Sequence, residues 1–240
     1  MLILFAFINP EMYAYTFLVQ TDYANSIFTF ISVALLFRFV KSKEKEVLLL
    51  SALFFGFACW SRTETIFFFP LFGLVLLWQS NFKNAVLQTI PFLITGALFV
   101  SLWNYVFLGN YVPKAIPLGQ FNFEMTAYFL RASEIIKAMN KIIGNSGYWA
   151  YSVVVPLVML LANLLYMRNI DALRTLIWPF GLYLIFVLLV LHVVGANVAF
   201  TFRRGFFKII WLMYLSLAFS GLLGKLSSLL EKKVPRPTNS

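Results

Sequence analysis

The stretch "LLLSALFFGFACWSRTETIFFFPLFGLVLL", residues 48–77, decides the fold, because it places Arg62 and Glu64 between two long apolar runs. A bilayer core about 30 Å thick requires roughly 20 apolar residues per helical crossing. Charged residues are costly inside that core, so a break of this kind marks the end of one helix and the start of the next. The stretch therefore predicts two helices separated by Ser61 and Arg62, which either turn back tightly or meet as a broken hairpin near one face of a membrane.

The whole chain has the composition of an integral membrane protein. Of its 240 residues, 61% are hydrophobic and only 12% are charged, whereas about a quarter of the residues in soluble proteins are charged. The net charge of +10 comes from basic residues scattered between the apolar runs, which is not the basic domain that nucleic-acid binding requires. The single cysteine, Cys59, excludes an intrachain disulfide and is interpreted as core packing.

Seven apolar runs predict seven transmembrane helices, in addition to a partial N-terminal helix. Their predicted bounds are 23–40, 47–61, 63–80, 85–108, 148–167, 174–194 and 206–224. The fold class is all-α: a polytopic transmembrane helical bundle formed by residues 1–230, followed by a short basic tail at 231–240. Residues 1–8 would extend only about 12 Å as a helix. We therefore expect either a truncated chain that begins partway through a helix or a kinked span over residues 1–20.

The basic residues set the predicted orientation. Placing the break at 41–45 in the cytoplasm also places most lysines and arginines there, as the positive-inside rule expects. The irregular segments then fall on the outer face; they are 9–22, the turn at 61–62, 109–147 and 195–205. Within the long outer segment, residues 123–143 have the apolar spacing of an amphipathic helix, which lies either on the membrane surface or as a soluble helix in the outer loop.

Two charged residues at the turn call for different explanations. Ser61 and Glu64 fit the S-x-x-E capping box, in which the serine caps a helix and the glutamate reaches back to the cap amide. Arg62 has no such explanation, since the positive end of a helix dipole disfavours a cation by about 0.3–1 kcal/mol. Arg62 either extends to lipid headgroups or binds an anion beside the amides of the helix start. Asp22, in turn, is interpreted as the N-cap of the first full helix.

Other cations are predicted on the same face. Lys114 follows the aromatic helix end "WNYVFLGNYVPKA", and "AFTFRRGFFKII" places Arg203, Arg204 and Lys208 at the outer start of the last helix. A bound phosphate would explain these cations, and so would lipid headgroups or, for Lys114, solvent. The chain has no metal-spaced cluster of His and Cys, and the lone His192 is interpreted as a packed or interfacial side chain.

Taken in order, these pieces resemble the GT-C superfamily of polytopic glycosyltransferases, in particular the branch related to protein mannosyltransferases and lipid-linked aminoarabinose or arabinose transferases. The helix pair at 48–77 and the helix exit "WNYVFLGNYVPKA" carry part of the likeness. The rest lies in "QTDYANSIFTFISVALLF", a helix opened by an acidic residue, and in "FRRGFFKIIWLMYLSLAF", a late helix with a basic start. The likeness covers roughly residues 10–225.

The resemblance implies a multi-pass membrane enzyme of a bacterial or archaeal cell membrane with a cytoplasmic C-terminus. It would transfer a sugar from a polyprenyl-phosphate or polyprenyl-pyrophosphate donor to a protein, lipid or glycan acceptor at the outer or lumenal face. Its partners are this donor and membrane lipids, and not nucleic acid. Some members need a divalent cation and others do not, so no cofactor and no metal ligand is assigned.

The resemblance also implies roles for named residues. The donor phosphate would be bound by Arg62, Lys114, Arg203 and Arg204. The family's acid lies in an early outer loop, and here the nearest candidates for that catalytic role are Asp22 and Glu11; unlike the family pattern, the chain contains no adjacent pair of acids. The alternative is a non-catalytic polytopic membrane protein, such as a lipid-carrier translocase or an assembly subunit, in which the same cations bind headgroups.

Overall fold

The computed structural model describes residues 21–108, 125–149, 151–167, 170–192, 198–219, 221, 224 and 227–229. Glu11, Lys114, the N-terminal segment 1–20 and the tail 231–240 lie outside the described residues. Within the described ranges every regular element is a helix, which confirms the all-α class. The elements are α1 (Thr21–Ser42), α2 (Lys45–Ser61), a 3₁₀ segment (Thr63–Phe68), α3 (Phe69–Leu77), α4 (Phe82–Ser101) with a π-helical extension (Leu102–Leu108), α5 (Met125–Ile143), α6 (Ser146–Trp149), α7 (Val154–Met167), α8 (Ile170–His192) and α9 (Val198–Phe219).

The first four helices run up and down and are joined by short turns. Lys43, between α1 and α2, has a φ of 60°, the left-handed conformation in which a single residue reverses the chain. Its ammonium group donates to Oε1 of Gln79, in the turn between α3 and α4, over 3.2 Å. The Asn81 side chain accepts a hydrogen bond from the Asn84 amide and caps α4. These two turns therefore lie at the same end of the bundle.

Small and hydroxylated residues bring α1, α2 and α4 close together. Ser32 and Ser51 are fully buried, and each hydroxyl donates to the backbone carbonyl of the other residue, over 2.8 and 2.7 Å. Thr95 donates to the carbonyl of Ala52 on α2, and Gly56 leaves room for the ring of Phe99. Close backbone approach and hydrogen bonds between helices are the means by which helices associate in lipid.

A continuous aromatic core links the first four helices to α8. Phe72 of α3 lies 4.3 Å from Phe92 of α4 and 4.6 Å from Trp178 of α8, measured between ring centroids. Phe55 of α2 joins the same cluster at 4.9 Å from Phe72. All four side chains are buried, so the N-terminal and C-terminal helices of the described structure share one core.

The helix α9 is the central element of the C-terminal half. It packs against α1, α5, α7 and α8. Trp149 of α6 is buried between Phe206 and Phe207 of α9, and its indole nitrogen donates to the carbonyl of Ile142 over 2.8 Å. The Tyr214 hydroxyl donates to the carbonyl of Ser152. The segment that follows α5 is thereby fixed to α9.

The predicted amphipathic helix at 123–143 is present as α5. Its apolar residues Ile135, Met139 and Ile142 are buried, and α5 packs against α8 and α9. The hydroxyl of Tyr183 on α8 donates to Oδ1 of Asn140 over 3.1 Å. The buried part of the apolar face is thus in contact with protein, which differs from both expected placements, the membrane surface and a free outer loop.

Two described helices are long and apolar enough to cross a membrane: Asp22–Ser42, which is α1, and Phe82–Val106, which is α4 with most of its extension. Much of α4 faces outward with apolar side chains, such as Phe82, Ile94 and Leu98. Shorter apolar helices are Thr63–Leu77, Val154–Asn163, Leu176–Leu188 and Gly205–Phe219. By length and apolarity two described helices could cross a membrane, and the full set of seven remains a prediction.

Several predicted spans have different bounds in the structure. The run at 148–167 divides into α6 and α7, which begins only at Val154, and the run at 174–194 already begins at Ile170. The run at 63–80 divides into the 3₁₀ segment and α3, which Pro70 opens in its first turn. The last helix begins at Val198 and ends at Phe219 instead of covering 206–224. Arginines interrupt an apolar run without interrupting a helix, because arginine is a good helix former and Gly205 alone costs only about 1 kcal/mol.

Candidate functional site

The junction between α2 and the 3₁₀ segment is a single extended residue. Arg62 has φ −149° and ψ 113°, and its amide still donates to the carbonyl of Ala58. One extended residue between two helices changes the chain direction, which confirms the predicted tight turn.

The guanidinium of Arg62 is bound by two carboxylates. Its Nη1 donates to Oδ1 of Asp22 in the first turn of α1, and its Nε pairs with Oε1 of Glu64. The three side chains differ in exposure: Asp22 is 1% exposed, Arg62 21% and Glu64 36%. We call these residues the Arg62 triad. One partner is sealed inside the bundle and the other lies at its edge.

The charge state of Arg62 follows from this geometry. Burial by itself lowers the pKa of the guanidinium, because the charged form loses solvation. The carboxylates of Glu64 and Asp22 more than offset that effect, so the pKa of Arg62 lies above its ordinary value. Arg62 is therefore a permanent cation whose charge is already balanced inside the protein.

The predicted capping box is wrong. Helix α2 continues through Ser61, whose hydroxyl donates to the carbonyl of Phe57 over 3.0 Å. The residue that precedes the 3₁₀ segment is Arg62, and it makes no side-chain cap bond. Because the serine hydroxyl is satisfied within its own helix, Glu64 is left to pair with Arg62.

Lys208 of α9 joins the charged residues from the opposite side. The side chain is 5% exposed, and its Nζ lies 5.4 Å from the ring centroid of Phe68. Its charge interacts with the charges of Arg62, Glu64 and Asp22. The sequence placed Lys208 at the outer start of the last helix, but α9 starts ten residues earlier, and Lys208 lies about one turn inside the apolar part Gly205–Phe219.

Asn25 completes the cluster, and sequence reasoning missed it. Its Nδ2 donates to the carbonyl of Ala58 over 2.5 Å and to Oγ1 of Thr65 over 2.8 Å. Asn25 and Thr65 are both fully buried. The available signal was spacing, since Asn25 follows Asp22 by three residues and a helix places such residues on one face.

The other predicted site residues are not all brought to the triad. Arg203 lies with its guanidinium carbon 5.0 Å from the ring centroid of Tyr148. Arg203 and Lys208 are five positions apart on α9 and so point about 140° apart around the helix axis. Arg204 lies in α9, and His192 is the last residue of α8, but their side chains are outside the description. Glu11 and Lys114 are also outside it, so the convergence of Arg62 with Lys114, Arg203 and Arg204 stays a prediction. The charged residues that the structure brings together are Arg62, Asp22, Glu64 and Lys208.

The site contains no arrangement typical of a metal centre. Within the described ranges, no three His, Cys, Asp or Glu side chains lie close enough together to hold a metal ion. The two carboxylates of the cluster, those of Asp22 and Glu64, both bind Arg62. Cys59 is fully buried and unbonded, which agrees with its interpretation as core packing.

Comparison of the chain with protein-family models, with curated proteins and with solved structures gives no match. The function is therefore argued from the residues and from the geometry described above.

Proposed function

We propose that this chain is a multi-pass membrane protein whose charged cluster lies at the outer end of the bundle. The apolar helices α1 and α4 support insertion, and so does the outward-facing apolar surface of α4. The turns at Lys43 and Gln79 lie at the opposite end of the helices from Arg62, and the basic residues at 41–45 favour the cytoplasm for that end.

We further propose that the protein is a glycosyltransferase of the GT-C type that uses a polyprenyl-phosphate or polyprenyl-pyrophosphate sugar. The observation that carries this proposal is the meeting of a buried acid, Asp22, with two cations, Arg62 and Lys208, from three separate helical segments. In the transfer step, an acceptor oxygen forms a bond to the anomeric carbon while the bond from that carbon to the phosphate oxygen breaks. The phosphate leaves with the electron pair, and preorganised cations stabilise its charge.

Each residue of the triad has a role in this scheme. Glu64 is the more exposed partner of Arg62, so an arriving phosphate can replace it without disturbing the buried bond to Asp22. Asp22 keeps the guanidinium oriented and, as the acid of the site, would position the acceptor or accept its proton. Arg203, Arg204, Lys114 and Glu11 stay in the proposal as further candidates, the first three for phosphate and the last as an acid.

One observation favours the non-catalytic alternative, a lipid-carrier translocase or an assembly subunit. The charge of Arg62 is already neutralised by two carboxylates. A triad of this kind also occurs where ionic contacts only fix the packing of helices. In that case Arg62 would hold α1 against the turn and would take no part in chemistry.

A transfer assay separates the two functions. The purified full chain is reconstituted into vesicles that contain a polyprenyl-phosphate sugar with a radiolabelled sugar, and membranes of a bacterial cell are added as the acceptor pool. We expect label to leave the polyprenyl carrier with the wild-type protein, and Asp22→Asn to slow the transfer by about 100-fold or more, the size of a typical acid–base contribution.

Lys45→Gln serves as the matched control, because Lys45 is an exposed cation at the other end of α2. It should leave transfer unchanged. If the wild-type protein binds the donor while all label stays on the carrier, the glycosyltransferase proposal is wrong and the non-catalytic alternative is supported.

A further inference from the structure

The Lys208 residue is 5% exposed, and its ammonium group makes no ion pair within the part of the chain that the structure describes. The nitrogen lies over the ring of Phe68, 5.4 Å from the ring centroid. A ring face compensates only a fraction of the solvation that an ammonium loses on burial. The three N–H donors of the ammonium group therefore have no ion-pair partner among the described residues and can bind an anionic group.

The Arg62 triad does not supply the missing partner. Both of its carboxylates bind the guanidinium, so they act on Lys208 only at longer range. Arg62 itself repels a second cation. The two acids and the two cations together carry no net charge. Both acids nevertheless pair with Arg62, and neither forms an ion pair with Lys208.

Asn25 offers the complementary group. Its Nδ2 is fixed by the carbonyl of Ala58, which can only accept a hydrogen bond, so the opposite atom of the amide is the oxygen. This Oδ1 is buried and has no hydrogen-bond partner among the residues that the structure describes. Among the described residues, the cluster thus contains an amide oxygen without a hydrogen-bond partner and an ammonium group without an ion-pair partner.

The two groups border the same short element. Asn25 bonds to Thr65, and Lys208 lies over Phe68. These positions are three residues apart in the 3₁₀ segment, which is one turn or about 6 Å. A ligand of a few heavy atoms is large enough to reach both.

We propose that Lys208 and Asn25 form a buried binding site for a phosphate ester that carries a hydroxyl group. The ammonium binds the phosphate oxygens, and the Asn25 amide oxygen accepts the hydroxyl proton. The inference deepens the proposed function, on which it rests, because a sugar phosphate has both groups. The ester can be lipid-linked or free in solution, and the experiment distinguishes these sources.

The test measures binding to the purified full chain in phosphatidylcholine nanodiscs. The probes are polyprenyl-phosphate mannose, free mannose 1-phosphate and methyl phosphate, which has no hydroxyl group. We expect Lys208→Met to weaken the binding of at least one of the two mannose probes by about tenfold or more, the effect of losing a charged hydrogen bond. Lys208→Arg keeps the charge and should retain most of the affinity. Lys137→Met removes an exposed lysine of α5 and should leave the affinity unchanged.

Folding is checked in the same samples. Cys59 is fully buried, so it should stay protected from a thiol-reactive dye in Lys208→Met as in the wild type. Methionine has a volume similar to that of lysine, and the substitution removes a charge that has no ion-pair partner among the described residues. We therefore expect the variant to be at least as stable as the wild type. A large loss of stability would mean that Lys208 is a structural counter-charge and would overturn the proposal.

The possible results distinguish a lipid-linked ligand from a soluble one, and they test the roles of Lys208 and Asn25 separately. Binding of the lipid-linked probe alone assigns the site to a membrane ligand, and equal binding of both mannose probes assigns it to the soluble ester. Methyl phosphate that binds as tightly as mannose 1-phosphate overturns the role of Asn25. Unchanged affinities in Lys208→Met, or no binding of any probe, overturn the site.

The site and the proposed function fail in different ways. Sugar transfer that continues unchanged in Lys208→Met would leave the function standing and the site wrong. Binding that depends on Lys208, without transfer to any acceptor, would leave the site standing and the function wrong.

Discussion

The buried carboxylate of Asp22 depends on Arg62 for its counter-charge. Asp22 is almost completely enclosed, whereas Glu64 is about a third exposed. An ion pair with one sealed partner is costly to break from either side, because the remaining charge cannot be solvated. An exposed pair contributes little, since water and salt screen it. The two bonds of Arg62 should therefore differ in energy although they involve the same guanidinium.

This difference predicts the effect of single substitutions on stability. Arg62→Gln should lower the free energy of unfolding by about 3–5 kcal/mol, because it leaves Asp22 charged and buried. Glu64→Gln should change it by about 1 kcal/mol or less. Thermal unfolding in detergent, followed by the reaction of buried Cys59 with a thiol-reactive dye, measures both. Equal effects of the two variants would show that burial of Asp22 does not govern the triad.

At the level of the helices, the serine pair connects α1 to α2 independently of the charged cluster. Ser32 and Ser51 exchange hydrogen bonds through their hydroxyls and carbonyls. In an apolar environment each such bond is worth about 0.6–1.7 kcal/mol. The pair thus fixes the relative position of the two helices near their middle, several turns from Arg62.

A double-mutant cycle tests the pair. Ser32→Ala and Ser51→Ala should each destabilise the protein by about 1 kcal/mol. The double variant should cost less than the sum, because the two hydroxyl oxygens lie 3.5 Å apart and interact directly. Ser26→Ala is the control, since the buried Ser26 hydroxyl bonds within its own helix, to the carbonyl of Asp22. Additive effects at Ser32 and Ser51 would contradict a coupled pair.

The helix ends and the turns between helices were not equally predictable from the sequence. The turn at Arg62 was predictable, because a charged residue between apolar runs is placed at a membrane face by its solvation energy. The early start of α9 was not, because an arginine lowers hydropathy without breaking a helix. The capping box failed for a related reason: Ser61 has a helical carbonyl, that of Phe57, available to its hydroxyl. A local sequence pattern does not determine whether a serine hydroxyl caps the next helix or bonds to a carbonyl of its own helix.

The candidate site required information from across the chain. Asp22 and Arg62 were both predicted on the outer face, but a contact between residues 40 positions apart depends on how α1 packs against α2. Asn25 and Thr65 carry no charge and showed no signal other than spacing. Lys208 was visible as a cation, while its burial became clear only from the packing of α9 against α1 and from the contact of Lys208 with the Phe68 ring.

For the whole molecule, the proposal requires that the two ends of the bundle face opposite sides of a membrane. Lys43 is exposed at one end, and Asn145 is an exposed residue of the turn after α5, in the segment predicted to lie outside. Introduced as Lys43→Cys and Asn145→Cys, they should react with an impermeant thiol reagent from opposite sides of sealed vesicles. Cys59 is buried, so the parent protein should not react with the reagent. Labelling of both from one side would contradict the topology.

The central claim is that Arg62 exchanges Glu64 for the phosphate of a polyprenyl-linked sugar. The most direct measurement is the affinity of polyprenyl-phosphate mannose for the nanodisc-embedded protein and two variants. We predict opposite signs: Arg62→Gln weakens binding by about tenfold or more because a charged hydrogen bond is lost, whereas Glu64→Gln tightens binding because the competing carboxylate is gone. Affinities that stay within about twofold of the wild type in both variants would show that the triad only holds the helices together, and would contradict the claim.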